Sequence, residues 1–313
     1  MIAIQYDRHG GPEVLEVVEE PARDLGPGEI RVAMRYASVT PLDCKLRAGL
    51  LRTHFELTFP KVPGRDGSGV VTETGPGIEG FAPGDRVCVM AAPAGRGTYA
   101  EERISLASDL VAIPPSLGDG EAASLVNAGL SAYVAVFAAA RIEPGMTVLV
   151  HAGSGAVGGL IVQLLKNAGC AVTATCRATN RDYVRDLGAD RVIAYDEEDF
   201  GVLRDQDLVF DLVGGETHAR SYQVLKKGGQ LVWLVAAPIV DHGVDRGAEH
   251  GVTVTRAMIA DAHEPVEAVL SMAARGDIRP QIADVLPLRE AETAHRRMQA
   301  GEISRGRLLL RTG

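Results

Sequence analysis

The stretch "TVLVHAGSGAVGGLIVQLLKNAG" constrains the fold more than any other part of the chain. An apolar run ends at a Gly153-x-Gly155-x-x-Gly158 loop, and a helical pattern opens directly after it. Val157, Leu160, Ile161, Leu164, Leu165 and Ala168 keep the three- and four-residue spacing of one helix face, and Gly169 supplies a left-handed stop. Strand, glycine turn and helix in that order form a dinucleotide site. The glycines allow a tight turn and close approach of a pyrophosphate, and the helix start offers unpaired N–H groups and a positive dipole end. Gly153, Ser154, Gly155, Ala156, Val157 and Gly158 are therefore candidate cofactor contacts.

What surrounds the loop agrees with it. Strands are expected at "AVTAT", "RVIAY", "DLVFDLV" and "GQLVWLV", with a sixth at "VTVTRAMI" ending near residue 259. Helical stretches lie between them at "LIVQLLKNA", "NRDYVRDL" and "THARSYQVLKK". Apolar strands alternating with helices predict an α/β fold with a doubly wound parallel sheet covered on both faces. Ahead of this unit, "EAASLVNAGLSAYVAVFAAARI" reads as an Ala-rich helix. The first third is β-rich, with short strands such as "IRVAMRYASV", "GSGVVTETG" and "GDRVCVMA" separated by Gly/Pro turns, which suggests a barrel or sandwich. The last fifty residues carry two amphipathic helices, "HEPVEAVLSMAARGD" and "LREAETAHRRMQAG", and a closing strand "GRLLLR".

Composition excludes several classes. With 313 residues the chain is long enough for about two domains. Its net charge of −9 disfavours nucleic acid or an anionic membrane as a partner. No run of about 18 apolar residues is evident, and the opening "MIAIQYDRHGGPE" lacks a signal peptide's apolar core, so a cytoplasmic protein is expected. Cys44, Cys88, Cys170 and Cys176 are scattered and the eight histidines show no metal spacing. Neither Ser68 nor Ser154 lies in a G-x-S-x-G elbow, which disfavours a hydrolase.

The nucleotide preference is read about twenty residues past the glycines. An NAD site usually ends its second strand on an acid that binds the ribose 2′-OH. Here that position reads "ATCRATNR": Thr175, Cys176 and Arg177 offer no acid, and Arg177 and Arg181 are two guanidiniums suited to a 2′-phosphate. NADPH is the expected cofactor. Asp182 and Asp186 are the acids placed to compete for those arginines.

Taken together, "HGGPEVLEV", "ASVTPLDCKLRAG", "PGRDGSGVV", "GFAPGDRVCV", "GTYAEE", "AASLVNAGLSAY", the glycine loop, "LGADRVIAY" and "SRGRLLL" resemble the medium-chain dehydrogenase/reductase superfamily, in its zinc-independent quinone oxidoreductase branch. The resemblance spans nearly the whole chain. It implies a GroES-like β-barrel catalytic domain built from residues 1–120 and 260–313, with a Rossmann NADPH-binding domain, 121–259, inserted between. It implies reduction of a small-molecule quinone or α,β-unsaturated carbonyl (enone) by hydride transfer, in a homodimer. It also extends the cofactor set to Ser131, Tyr195 and the backbone of Val235 and Ala236, with Cys176, Val213 and Arg307 counted beside them.

Where zinc-dependent relatives carry a Gly-His-Glu, this chain has Arg65 and Asp66, and a guanidinium is not a metal ligand. No metal is expected. The glycines of "GRDGSGVV" then make a turn into a buried strand, with Arg65 and Asp66 as a local ion pair. Quinone oxidoreductases usually carry Asn where Thr40 stands, so the catalytic set of Thr40, Asp43 and Lys45 departs from the pattern. Thr40 offers a hydrogen bond to substrate or nicotinamide ribose, and Asp43 with Lys45 a cleft ion pair. His151, between strand and loop, reads as a satisfied structural group. Two other readings stay open: an NADPH-binding sensor or structural protein with little catalysis, and an alcohol dehydrogenase.

Overall fold

The computed structural model describes residues 1–234 and 246–313. The chain opens with a two-stranded antiparallel ribbon, β1 (Ile2–Gln5) and β2 (Glu16–Glu19). The long strand β3 (Glu29–Val39) and a short helix α1 (Pro41–Arg47) follow. Next come β4 (Asp66–Thr74), β5 (Arg86–Met90), β6 (Glu102–Leu106) and β7 (Leu110–Ala112). Helix α2 (Asp119–Tyr133) runs on through wider π-helical turns to Ala139.

The parallel unit starts at β8 (Thr147–Val150) and α3 (Ala156–Asn167). It continues with β9 (Ala171–Cys176), α4 (Arg181–Asp186) and β10 (Arg191–Ala194). Its second half is β11 (Gln206–Asp211), α5 (Glu216–Ser221), β12 (Leu225–Trp233), α6 (Gly247–His250) and β13 (Thr253–Arg256). The chain ends with α7 (His263–Ala274), β14 (Ile282–Pro287), α8 (Ala291–Gln299) and β15 (Arg307–Arg311).

One sheet has the order β10-β9-β8-β11-β12-β13, and every pair in it is parallel. The order reverses between β8 and β11, which opens a crevice at the carboxyl ends of these strands. The other sheet runs β14-β15-β3-β4-β5-β7, with β6 also paired to β3. Because β15 lies between β14 and β3, both ends of the chain build this second sheet. The α/β architecture, GroES-like barrel plus doubly wound sheet, is as the resemblance implied.

Helix α2 is the shared wall. Ten of its fifteen residues are buried, and it packs on β3, β4 and β5 on one side and on α3 and α7 on the other. By length and composition, Asp119–Ala139 is apolar enough to cross a membrane, contrary to the reading that the chain held no such run. Its apolarity has another cause: it is two-sided because two layers cover it, and Ala122, Leu125, Val126, Leu130 and Val136 all belong to one core with α7 and β8. The division expected at residue 120 falls in its first turn.

Three local expectations are corrected. The helix foreseen over "THARSYQVLKK" stops at Ser221, and Leu225 already pairs with Gln206 of β11, so strand pairing overrides helix propensity there. Helix α1 and strand β14 were not foreseen at all.

Candidate active site

The glycine loop stands at the switch point. Gly153 N–H donates to Thr175 O (2.8 Å), tying the turn to the end of β9. A Cβ on Gly153 would lie 2.7 Å from Ala174 Cβ, and one on Gly158 would lie 2.2 Å from Ala152 O, so neither position admits a side chain. Gly155 differs: a Cβ there would meet only Ala152 O, at 3.4 Å. The first turn of α3, at Ala156, Val157 and Gly158, has no side-chain cap and leaves its N–H groups for a ligand. Ser154 contributes through its backbone, because its hydroxyl donates to Ser304 O (2.7 Å). Gly306 N–H donates to Ser154 O (3.0 Å), and Asn180 Nδ2 donates to Ser304 O (3.0 Å). The last strand of the barrel is thus clasped to the nucleotide loop.

A cleft of about 650 Å³ opens beside the loop, lined by His151, Thr175, Tyr195, Val213, Thr217 and Arg220 among others. Tyr195 and Val213 are half exposed, as surfaces for a flat adenine ring would be. His151 is the satisfied group expected. It bonds Thr175 Oγ1 (3.2 Å) and Ser221 Oγ (3.0 Å), and burial holds its imidazole down at about 4. Cys176 ends β9 with its thiol buried and pushed up to about 11 by that burial.

The two arginines part company. Arg177 is exposed, and its Nε–H donates to Tyr195 Oη (3.1 Å) at the rim of the cleft. Among the described residues it makes no ion pair. Arg181 is held by Glu197 (2.8 Å) and Glu198 (3.0 Å). The competing acids are therefore these two glutamates rather than Asp182 and Asp186; Asp182 pairs with Arg185 instead. Spacing along α4 pointed to neighbours on the helix, but the acids that reach Arg181 come from the turn after β10.

Of the expected catalytic residues, Asp43 and Lys45 lie on α1 and Thr40 is its N-cap. Thr40 and Asp43 close a capping box: Thr40 N–H and Oγ1 donate to Asp43 Oδ2 (2.8 and 2.7 Å), and Asp43 N–H donates back to Thr40 Oγ1 (3.2 Å). Burial, with the Asp66 carboxylate adding to it, pushes the Asp43 carboxyl up to about 6 against the Thr40 hydrogen bonds. The Asp43–Lys45 ion pair is not formed, because Asp43 is spent on the cap. Lys45 is half-buried, and burial lowers its ammonium.

Sequence reasoning missed Lys61. It is buried, donates to Gly95 O, and is pushed down to about 8 by burial among neighbouring cations despite Asp43. Asp43, Lys61, Arg65 and Tyr6 line one small pocket. A buried lysine beside a buried carboxylate is visible only once the chain is folded.

Arg65 and Asp66 do not form the expected local pair. Arg65 Nη2 reaches Asp261 Oδ1 (2.7 Å), and its Nη1 donates to Ala91 O. Asp66 turns the other way: Oδ2 accepts from Asn127 N–H of α2 (2.9 Å), and Oδ1 is buried without a partner. Adjacent residues at a strand start face opposite sides, and that separates them. Burial raises the Asp66 carboxyl, opposed by Arg307 and Arg65. Arg307 is buried with an unpartnered Nε, and Ser131 lies buried on α2. Val235 and Ala236 fall outside the described residues.

A zinc ion does not fit these residues. Among the described residues no three His, Cys, Asp or Glu side chains come together to hold one, and a docked guanidinium stands at Arg65. A nicotinamide dinucleotide does fit: the cradle that excludes a Cβ at Gly153 and Gly158 leads into the uncapped start of α3, and the 650 Å³ cleft reaches His151 and Ala152 just before the loop.

Comparison with known proteins gives two family matches: an alcohol dehydrogenase GroES-like domain over residues 26–143, and a zinc-binding dehydrogenase domain over 187–310. The chain is 30% identical to the chloroplast envelope quinone oxidoreductase homolog of Arabidopsis thaliana, over 94% of this chain and 93% of that protein. Among solved structures it is similar to the quinone oxidoreductase of Coxiella burnetii (31% identity, TM-score 0.88, 100% and 99% of the two chains). It is also similar to the Escherichia coli quinone oxidoreductase complexed with NADPH (27%, 0.88, 99% and 100%). An NAD-dependent alcohol dehydrogenase superposes comparably (27%, 0.91, 100% of both).

Proposed function

Because the chain belongs to the medium-chain dehydrogenase/reductase superfamily, in its quinone oxidoreductase branch, we propose that it is a metal-free reductase that uses NADPH to reduce a quinone or an α,β-unsaturated carbonyl. That it is an oxidoreductase with a nicotinamide cofactor follows from the family and from relatives such as the NADPH-bound Escherichia coli enzyme. The metal-free assignment rests on one observation. Arg65, docked on Asp261 and Ala91 O, is a guanidinium at the sequence position where zinc-dependent relatives carry a ligating histidine, which supports that reading.

Bound NADPH supplies the hydride. The residues of this chain do the rest. The loop 153–158 and the start of α3 hold the pyrophosphate, and the cleft beside Tyr195 and Val213 holds the adenosine end. Without a metal, the negative charge that grows on the acceptor oxygen must meet hydrogen-bond donors. Lys61 and Arg65, which line one small pocket with Asp43, are the cations proposed for that role. Thr40 and Asp43 fix the start of α1, and so the wall of that pocket.

The preference for NADPH over NADH rests on Arg177, the exposed guanidinium at the end of β9. One assay tests both parts: NADPH oxidation with small quinones and enones, by the wild type and by Arg177→Ala. Turnover is expected without added metal, and Arg177→Ala is expected to raise KM for NADPH about tenfold or more while moving KM for NADH little. Tight NADPH binding with no turnover of any acceptor refutes the reductase reading. Equal effects on both nucleotides refute the role of Arg177.

A further inference from the structure

Arg65 is almost enclosed, yet the anion it meets comes from outside. Its side chain is 9% exposed, whereas that of Asp261 is 41% exposed. Asp261 belongs to neither the barrel sheet nor the parallel sheet; it sits in the connection between β13 and α7. A half-solvated carboxylate thus already rests on a buried guanidinium, in the geometry a carboxylate ligand would take. Arg65 keeps a further donor, Nε–H, buried and unused.

Charge around the pocket points the same way. Arg65, Lys61 and Arg307 face two fixed internal carboxylates, Asp43 and Asp66. An ion pair with one partner in water is weak, but a buried cation left without an anion is costly. Asp261 is the half-solvated partner of that pair, and so the anion that a ligand carboxylate can replace.

We propose that Arg65 is a carboxylate-binding residue of the acceptor site, and that the acceptors this protein prefers are unsaturated carbonyl compounds bearing a carboxylate, which displaces Asp261. This rests on the reductase reading above. In the reaction the acceptor's carbon–carbon π bond is broken: one carbon takes the hydride with its electron pair and the other takes a proton from water. NADPH leaves as NADP⁺, and the carboxylate is unchanged.

The test compares β-acetylacrylate with its methyl ester, which share one enone and differ in charge. The readout is the ratio of kcat/KM for the acid to that for the ester. The wild type is expected to favour the acid. Arg65→Gln is expected to lower the ratio about 10- to 100-fold, mostly through KM, as loss of a charge-assisted hydrogen-bond pair would. Asp261→Asn, which frees the guanidinium, is expected to raise it. Calorimetric binding of levulinate, the saturated product, should follow the same order without any turnover. A ratio near one that neither variant moves, with levulinate binding equally to all three proteins, overturns the proposal. If menadione is reduced while acid and ester are both inert, the carboxylate site falls and the reductase reading stands. If no acceptor consumes NADPH, the reductase reading falls, and Arg65-dependent levulinate binding would still support the site.

Discussion

Asp43 is asked to do two things at once: cap a helix as an anion and lie buried. The structure resolves the conflict by raising its carboxyl from 3.8 to about 6. The sign of the effect on stability follows. Below pH 4 the group is protonated in both folded and unfolded chains. Between about 4 and 6 the folded chain holds a proton that the unfolded chain has released, so rising pH destabilises the fold. Above pH 6 the cost is complete, about 3 kcal/mol. Asp43→Asn keeps an acceptor for Thr40 and removes the charge. Its melting temperature relative to wild type should therefore be higher at pH 8 than at pH 4.5, and a difference that does not change with pH would show that Asp43 is not a strained anion. At this scale the sequence was an uneven guide. Thr40 and Asp43, close in sequence, do meet in one capping box. Lys61, eighteen positions past Asp43, joins them only because the chain between folds back, and nothing in "FPKVPG" marks that lysine as buried.

The glycine loop was the most legible element, because each of its requirements is local: a strand, a turn without side chains and an amphipathic helix. Two glycines within it have different duties that substitution can separate. Gly158→Ala would drive a Cβ against Ala152 O at 2.2 Å, a backbone atom that cannot step aside. A stability loss of about 1–3 kcal/mol is expected, with weakened NADPH binding. Gly155→Ala meets Ala152 O only at 3.4 Å. It should melt near wild type yet bind NADPH poorly, because its new methyl points where the pyrophosphate approaches. Melting curves with NADPH titrations check both, and a Gly155→Ala protein with normal affinity would mean the cofactor keeps clear of this loop. Other elements were hidden for physical reasons. Helix α1 buries Asp43, Cys44, Leu46 and Arg47, so it shows no polar and apolar faces to read. Strand β14 is half exposed along its length and owes its existence to β15, a partner twenty-five residues away.

At the scale of the whole molecule, the two sheets share α2 and the clasp of Ser154, Asn180, Ser304 and Gly306. Layers joined in this way should unfold together. One calorimetric transition is expected, and NADPH at a hundred times its Kd should move that transition as a whole, adding about 2.7 kcal/mol. Two transitions, only one of them shifted by NADPH, would show that α2 and the clasp do not couple the layers. The overall plan was legible because it rests on repeated alternation of strands and helices, but the sharing of α2 was not, since a helix apolar on two sides reads equally as core or as membrane span.

The position of β15 between β14 and β3 also sets a schedule for synthesis. Strand β3 is made well before the strand that covers its edge from Tyr36 to Val39, which follows about 270 residues later. The parallel sheet can assemble in the meantime, but the barrel waits with an open edge until β15 is made. A variant ending before Ser304 would lose that cover and the clasp on the nucleotide loop in one stroke, so removing these residues should reach a ligand site about half the chain away in sequence.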